Sequence, residues 1–229
     1  MILPITSFCR IVRVLSALLG VSLATIDAAQ TEAVVWRVDS TSGVGGRKPL
    51  VLGAPRAGVE DGRKALRFDG ADDGLILSRN PLEGWRAFTI EVLFKPDGDG
   101  PAAQRFVHLE DTAENRALIE TRITPEKQWY LDTFLFSCPT EKGVTLVDKT
   151  KLHPCDRWYW AALVYDGATM THYVDGVKEQ DGAIAFGPMK EGRTSLGVRL
   201  NRVFWFKGAI AEVRFHSQAV PPAELQRSR

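Results

Sequence analysis

Short segments of alternating apolar and polar residues, separated by turns, run through most of this sequence. FTIEVLFK (residues 88–95) alternates cleanly and ends at PDGDGP. Its apolar face consists of Phe88, Ile90, Val92 and Phe94. A period of two predicts a half-buried strand. Helix-period segments are nearly absent, and only PPAELQRSR near the C-terminus could form a turn of helix. Evenly spaced short strands predict an all-β fold, a sandwich or jelly roll of antiparallel sheets.

The segment ALIETRITPEKQWYLDTF (residues 117–134) contains two alternating runs on either side of a Pro-containing turn, which predicts a β-hairpin. The β-branched side chains of its first run are Ile119, Thr121 and Ile123. We expect this set to face the core, because a polar side chain would be costly there without a partner. Glu120 and Arg122 then point outward. Tyr130 and Asp132 of the second run are expected to lie beside them across the hairpin.

Residues 1–28 have the layout of a secretory signal peptide. Arg10 and Arg13 precede an apolar run from Val14 to Leu23, small residues follow, and cleavage is expected after Ala28. The uncharged run is shorter than the stretch of about 20 residues that a transmembrane helix needs. We therefore expect a secreted or periplasmic protein with no stable membrane span after cleavage.

The mature chain, residues 29–229, is expected to be close to neutral. The full chain carries 29 Lys and Arg against 28 Asp and Glu, and loss of Arg10, Arg13 and Asp27 leaves 27 of each. A neutral surface gives no electrostatic reason to bind nucleic acid or an anionic membrane. The remaining 201 residues show no internal repeat, linker or low-complexity tract. They are therefore expected to form a single domain.

Cysteine usage points to a structural role. Cys9 lies in the predicted signal peptide, which leaves Cys138 and Cys155 in the mature chain. An even pair in an exported protein predicts a disulfide between them. A metal site is not expected there, because the pair lacks CxxC spacing and His153 is the only nearby imidazole.

Five stretches, in order, resemble the laminin G-like domain of the concanavalin A-like lectin/glucanase superfamily. They are ALRFDGADDGLIL, FTIEVLFKP, WYWAALVYDG, THYVDGVKE, and SLGV with FKGAIAEVRFHSQAVPPAEL, and they span roughly residues 60–225. The resemblance implies a β-jelly roll of two antiparallel sheets, one of them with a concave face. The superfamily contains lectins, protein-binding modules, glucanases and alginate lyases, so the resemblance alone does not choose a function.

The closing stretch departs from the family pattern at one position. The family usually has Asp before Glu there, and that Asp often helps to hold a structural Ca²⁺. Here Ala211 precedes Glu212, and an alanine side chain cannot supply an oxygen ligand. We therefore expect no Ca²⁺ at this place and no other cofactor, although Asp69, Asp72 and Asp73 offer carboxylates that could build a site elsewhere.

An enzyme of the same fold, a polysaccharide lyase or hydrolase, is a second hypothesis. The sequence has no G-x-S-x-G, H-E-x-x-H or Walker motif. Glu110, Asp111 and Glu114 lack the alternate spacing of the paired carboxylates in jelly-roll glucanases. ETR (120–122) and Tyr130 resemble lyase residue types, but the Gln-Ile-His and Tyr-x-Lys blocks of those enzymes have no counterpart here. These missing motifs favour a non-catalytic protein over an enzyme.

The leading hypothesis is an exported, non-catalytic binding module that recognises a glycan on the concave face, with a protein ligand as a third alternative. The candidate ligand-binding residues are His108, Glu120, Arg122, Tyr130, Asp132, Arg202 and Trp205. On this hypothesis, Arg122→Ala and Tyr130→Ala abolish binding and barely change stability. A large stability loss from Arg122→Ala would instead place that side chain in a buried network. On a merely solvated sheet, Glu120, Arg122 and Asp132 would form ordinary cross-strand ion pairs.

Overall fold

The computed structural model describes residues 33–228, and the predicted signal peptide lies outside these residues. The strands are β1 (Val34–Arg37), β2 (Leu50–Leu52), β3 (Arg56–Glu60), β4 (Arg63–Asp69), β5 (Gly74–Leu77), β6 (Phe88–Pro96), β7 (Ala103–Asp111), β8 (Arg116–Ile123), β9 (Gln128–Ser137), β10 (Lys142–Val147), β11 (His153–Pro154), β12 (Tyr159–Tyr165), β13 (Thr169–Val174), β14 (Val177–Ala183), β15 (Gly192–Leu196) and β16 (Lys207–His216). One 3-10 turn, Cys138–Thr140, interrupts them. Between residues 33 and 228, no helix is long and apolar enough to cross a membrane.

The strands form two antiparallel sheets, which confirms the predicted all-β sandwich. Sheet I has the order β14-β13-β12-β6-β16-β4-β3, with β1 paired to β16. Sheet II has the order β10-β9-β8-β7-β15-β5-β2, with β11 paired to β9. The hairpin predicted at residues 117–134 is the β8–β9 pair, which lies between β10 and β7 in sheet II.

Aromatic side chains from both sheets meet in the core. Phe94 on β6 stacks on Phe106 of β7 with ring centroids 4.5 Å apart, and it contacts the edge of Trp129 on β9 at 5.1 Å. All three side chains are fully buried. Burial of each large apolar side chain stabilises the fold by about 1.5–3 kcal/mol. The alternation of β6 therefore supplies the surface on which sheet II packs.

The β8–β9 hairpin has the predicted orientation. Thr124 and Gln128 close the turn, with a hydrogen bond of 2.7 Å from the amide of Thr124 to the carbonyl of Gln128. Ile119 and Ile123 belong to the core cluster, and Thr121 is fully buried. Across the hairpin, Glu120 lies opposite Asp132 and Arg122 lies opposite Tyr130. Alternation therefore puts this polar group on the outer face of sheet II.

The predicted disulfide is wrong. Cys138 and Cys155 are free thiols in the structure. Cys138 follows the last residue of β9, whereas the amide of Cys155 donates to the carbonyl of Lys127, just before the first residue of β9. Ten strand residues at about 3.3 Å each separate the two ends by roughly 30 Å. A disulfide needs Cα atoms within about 7 Å, so the even count of cysteines does not reflect a pairing.

The C-terminal segment, residues 217–228, covers part of the outer face of sheet I. Val220 and Leu225 pack with Ala162, Val164 and Tyr173 in a small apolar cluster. Residues 221–224 form a turn in which the amide of Glu224 donates to the carbonyl of Pro221. This cover buries the outward-facing side chains of Ala162 and Val164 on β12.

Candidate functional site

A β-bulge in β7 determines which side chains reach the outer face of sheet II. The pairing of β7 with β8 shifts between Arg105 and Val107. Phe106 and Val107 therefore both enter the core, while Arg105 lies opposite Glu120 on the outer face. Simple alternation would put Arg105 and His108 on opposite faces, and the bulge brings them to the same one.

Two of the predicted site residues are buried carboxylates held by arginines. Glu120 and Asp132 are only 3% and 4% exposed. Arg105 donates from Nε to Glu120 Oε1 at 2.6 Å. Arg122 donates to Asp132 Oδ2 from Nε at 2.8 Å and from Nη2 at 2.6 Å, and Nη2 also reaches Glu120 Oε2 at 3.3 Å. Burial and the facing Asp132 raise the pKa of Glu120.

This geometry corrects the expectation for Arg122. Its Nε and Nη2 are engaged by two buried carboxylates, so Arg122 neutralises them, and its loss should destabilise the fold. The polar set of the hairpin is neither a row of solvated ion pairs nor a free ligand-reading surface.

His108 also differs from a surface residue. It points outward from β7, but the loop of residues 197–206 folds over it, and it is 1% exposed. The amide of Leu200 donates to His108 Nδ1 at 3.1 Å. A ring that accepts at Nδ1 carries its proton on Nε2 when neutral. Burial, with the charges of Arg199 and Arg116 next, lowers the pKa of His108 to about 3.

Above the carboxylates lies a small cavity of about 240 Å³, here called the arginine pocket. Its charged lining consists of Arg105, Arg116, Arg122, Arg199, Glu120 and Asp132. Leu118, Phe134 and Thr145 complete the wall. Its volume is just below the range of about 300–1,000 Å³ typical of small-molecule sites. The arginine pocket therefore has room for one sugar-sized group of a larger ligand.

Several nitrogen atoms at the arginine pocket are buried without a hydrogen-bond partner anywhere in residues 33–228. They are Arg105 Nη1, Arg116 Nε, Arg199 Nε and the neighbouring His108 Nε2. The Nε2 atom of His108 is 4.0 Å from Glu110 Oε2, which is too long for a hydrogen bond. Buried polar groups in native proteins nearly always have partners. Four such donors lie around one cavity, which makes it the candidate ligand site.

Aromatic side chains surround the arginine pocket. The guanidinium of Arg105 lies 3.8 Å from the ring centre of Phe204, and that of Arg116 lies 4.4 Å from that of Phe136. Phe134 and Phe136 are half-buried and nearly parallel, with ring centroids 6.3 Å apart. Cation–π contacts hold Arg105 over Phe204 and Arg116 over Phe136, and they fix the direction of the remaining donors of both arginines. Tyr130, which precedes Phe134 and Phe136 on the outer face of β9, is also half-buried.

The two predicted residues of the final loop do not line the arginine pocket. Arg202 is exposed, and its amide donates to the carbonyl of Arg199 at 2.8 Å, which closes a turn. Trp205 is half-buried against Gly74, where any side chain would meet its ring at 3.4 Å. The residues that reach the pocket from this loop are instead Arg199, which lines it, and Phe204, which packs on Arg105. Only the packing of the loop, which has no period, could have identified them.

A larger cavity of about 650 Å³, here called the end cleft, lies at one end of the sandwich. Its lining includes Arg47, Arg79, Asp111 and Arg193. Asp111 accepts hydrogen bonds from the amides of residues 113, 115 and 190, and Arg79 donates to the carbonyl of Gly45. None of the partnerless buried atoms within residues 33–228 lines this cleft. We therefore place the candidate site in the smaller arginine pocket.

The surroundings of Ala211 do not fit a Ca²⁺ site. Ala211 lies at a bulge of β16 in an outer apolar cluster with Leu93 and Trp160. That cluster also holds Trp158, so both tryptophans are buried, although outside the space between the sheets. Calcium needs six to eight oxygen ligands, and an alanine among apolar side chains supplies none.

The three aspartates near β5 form an acidic loop. Carboxylate oxygens of Asp69, Asp72 and Asp73 lie within 4.8 Å of one another. Asp73 accepts from the amides of Ala54 and Asp69, and Asp69 accepts from three amides of its own loop. These oxygens therefore order the turn that leads into β5.

A protein-family model described as the concanavalin A-like lectin/glucanases superfamily matches residues 69–226. No curated protein matches the sequence. The structure is similar to domain 4 of AbnA, an extracellular GH43 arabinanase from Geobacillus stearothermophilus, solved in complex with arabinotriose. That likeness has a TM-score of 0.59 at 16% identity and covers 85% of this chain and 97% of the domain.

Two further solved structures are similar over only part of their own length. The binding domain of botulinum neurotoxin serotype D has a TM-score of 0.60 at 10% identity, over 84% of this chain and 50% of that domain. A variant of the NanB sialidase from Streptococcus pneumoniae has a TM-score of 0.58 at 16% identity, over 72% of this chain and 28% of the sialidase. At these identities the likeness establishes the fold.

Proposed function

The chain belongs to the concanavalin A-like lectin/glucanases superfamily, and on that premise we propose that it is an exported carbohydrate-binding module with its site at the arginine pocket. The cavity lies on the outer face of sheet II, and it joins buried, directed donors to half-exposed aromatic rings. Sugars present both an apolar ring face and polar edges, and this combination of lining groups suits them. That combination is the observation that carries the proposal.

A known relative with the same architecture supports the proposal. Domain 4 of the arabinanase was solved with arabinotriose, and this chain spans almost all of that domain. The likeness is one of fold, so the ligand of that domain is not transferred here. Export is proposed from the N-terminal segment, where Arg10 and Arg13 precede the apolar run of a signal peptide.

The proposal is tested by applying the mature chain to a broad panel of immobilised glycans. We expect binding to a subset of the panel and a loss of about tenfold or more in affinity for Arg116→Gln, which removes a pocket donor. Arg47→Gln removes an equal charge from the end cleft and should leave affinity unchanged. A reversed result would move the site to the end cleft.

Two further results would contradict a glycan-binding module. Absence of binding across the glycan panel, together with capture by a protein surface, would favour an adhesion module. Turnover of any polysaccharide by the purified chain would favour the lyase or hydrolase hypothesis. We propose no catalytic residue, because Glu120 and Asp132 are both held by arginines.

We also propose that the module works without a Ca²⁺ at β16. Ala211 and its apolar neighbours offer no oxygen ligand there. Thermal unfolding of the mature chain with EDTA and with added Ca²⁺ should give the same midpoint. A large drop on chelation would show that other oxygens bind an ion.

A further inference from the structure

We infer that the arginine pocket binds an anionic group of an acidic glycan, such as the carboxylate of a uronic acid residue. This inference rests on the proposed function and names the chemistry of its ligand. It follows from the kind of hydrogen-bonding group that the pocket leaves unused, from the balance of charge in its lining, and from the contrast with the end cleft.

All of the unused buried groups at the arginine pocket are donors. Arg105 Nη1, Arg116 Nε and Arg199 Nε carry N–H groups by necessity, because a guanidinium has no acceptor. The Nε2 atom of His108 also carries a proton, since its Nδ1 accepts from the amide of Leu200. A ligand that satisfies these atoms must present acceptors.

Most carboxylate oxygens of the pocket are already engaged. Glu120 accepts at Oε1 from Arg105 and at Oε2 from Arg122, and Asp132 Oδ2 accepts twice from Arg122, so that partnerless donors outnumber the one remaining oxygen, Asp132 Oδ1. A neutral sugar hydroxyl is both a donor and an acceptor, so sites for neutral sugars need free acceptors as well as donors. A carboxylate or sulfate only accepts. The unused groups of this pocket therefore match an anion better than a hydroxyl.

The charge of the lining points the same way. Four arginines and two carboxylates give the arginine pocket an excess of two positive charges, in a chain whose formal net charge is +1. Burial, with the like charges of Arg105 and Arg116 next, lowers the pKa of Arg199. Cations that are close enough to disfavour one another gain stability when an anion binds between them.

Arginine is suited to this role because its planar fork binds carboxylates and sulfates through paired, charge-assisted hydrogen bonds. Stacking of Arg105 on Phe204 and of Arg116 on Phe136 holds both forks in place before a ligand arrives. The end cleft also contains arginines, yet none of its lining atoms within residues 33–228 is buried without a partner. The excess of donors is therefore specific to the arginine pocket.

Titration calorimetry on the full mature chain tests the inference with matched ligands. The probes are oligosaccharides of galacturonate, glucuronate and guluronate, each with its carboxyl-reduced neutral counterpart. We expect reduction to weaken binding by about tenfold or more, because it removes a charge-assisted pair of hydrogen bonds. Sulfated oligosaccharides of the same backbones tell a sulfate ligand from a carboxylate ligand, and a preference for either anion supports the inference.

Variants locate the contact. Arg199→Gln should weaken binding of the preferred acidic oligosaccharide by about tenfold. Its Nε has no partner within residues 33–228, so the midpoint of thermal unfolding should stay the same. Arg56→Gln is the matched control, since Arg56 is exposed on β3 of the other sheet and carries the same charge. An equal loss for both variants would show non-specific attraction and overturn the inference.

The remaining outcomes separate this inference from the proposed function. Equal binding of acidic and carboxyl-reduced oligosaccharides would overturn the inference and leave a module for neutral glycans. Equal binding of polyglutamate and uronate oligosaccharides would show that the sugar ring is not recognised, which would overturn both in favour of an acidic protein ligand. Absence of binding to acidic, neutral and sulfated probes alike would also overturn both.

Discussion

Each sheet of this protein carries a pair of nearly buried carboxylates on its outer face, and the two pairs are satisfied in different ways. On sheet I, Glu91 accepts from the amide of Gln226 at 2.7 Å and bonds His216 Nε2 at 2.9 Å. The other carboxylate of this sheet, Glu212, forms ion pairs with Arg37 and Arg214. On sheet II, Glu120 and Asp132 are satisfied by arginines alone.

The difference lies between Glu91, which the C-terminal segment covers, and the carboxylates that arginines hold. The C-terminal segment brings the amide of Gln226 to Glu91 and apolar side chains to the outer face of sheet I, whereas Glu212, like the carboxylates of sheet II, is held by arginines. The arginines of sheet II neutralise Glu120 and Asp132 but retain donors that no group in residues 33–228 accepts. A buried charge is therefore not by itself a sign of function, and the proposed site rests on the unused donors around the buried charges of sheet II.

The largest expected effect comes from removing the cover of sheet I. A chain that ends at Ser217 loses Val220 and Leu225, both about 5% exposed or less. Loss of these two buried side chains should lower the free energy of unfolding by about 3–6 kcal/mol, as measured by urea denaturation. The full-length double variant V220A/L225A is the control and should lose part of this stability. A loss below about 1 kcal/mol would mean that the segment does not complete sheet I.

The second effect compares one arginine from each sheet. Arg122→Ala leaves Asp132 and Glu120 buried with one arginine fewer, and it should cost about 3 kcal/mol of unfolding free energy. Arg37→Ala removes an exposed partner of Glu212, which keeps Arg214, and should cost less than about 1 kcal/mol. Urea denaturation of both variants checks the contrast. Equal losses would remove the distinction between Arg122, which is engaged by two buried carboxylates, and the exposed Arg37.

The third effect appears as a dependence of stability on pH. The folded pKa of His108, about 3, lies below the unfolded value of about 6.5. The unfolded chain then binds more protons, so the stability that comes from neutral His108 is present above pH 6.5 and is lost as the pH falls toward 3. The slope is about 1.4 kcal/mol per pH unit.

His108→Asn isolates this term, because the asparagine oxygen can still accept from the amide of Leu200. Denaturation between pH 6.5 and 5 should show a flatter acid limb for the variant, by about 2 kcal/mol over the interval. The acid limb of His216→Asn, the same substitution on sheet I, is measured for comparison. An unchanged slope for His108→Asn would contradict a buried, neutral ring under the 197–206 loop.

The smallest effect on stability is expected for Tyr130, on β9 of sheet II. Tyr130 is half-buried and has no side-chain hydrogen bond within residues 33–228, so Tyr130→Ala should change the unfolding free energy by less than about 1 kcal/mol. Its affinity for the preferred glycan should still fall if the ligand extends past Arg122. Unchanged affinity would confine the ligand to the arginine pocket.

The sequence predicts the sandwich and the orientation of the β8–β9 hairpin because alternation is a local signal that burial enforces. It does not predict the bulge at Phe106, which moves Arg105 to the outer face against simple alternation. Nor does it place Arg199 or Phe204, because the packing of the 197–206 loop depends on contacts with distant strands. The disulfide prediction failed for a similar reason. An even number of cysteines carries no information on distance, and in the fold Cys138 and Cys155 lie at opposite ends of β9.

The C-terminal segment can also be seen as an occupant that is tethered to its own site. A short tether holds such an occupant at an effective concentration in the millimolar range. A free ligand present at micromolar levels would need an affinity for this surface about a thousandfold higher than that of the segment to displace it. The covered half of sheet I is therefore closed to free ligands by covalent connection, and sequence changes beneath the segment can affect stability without altering what the protein binds.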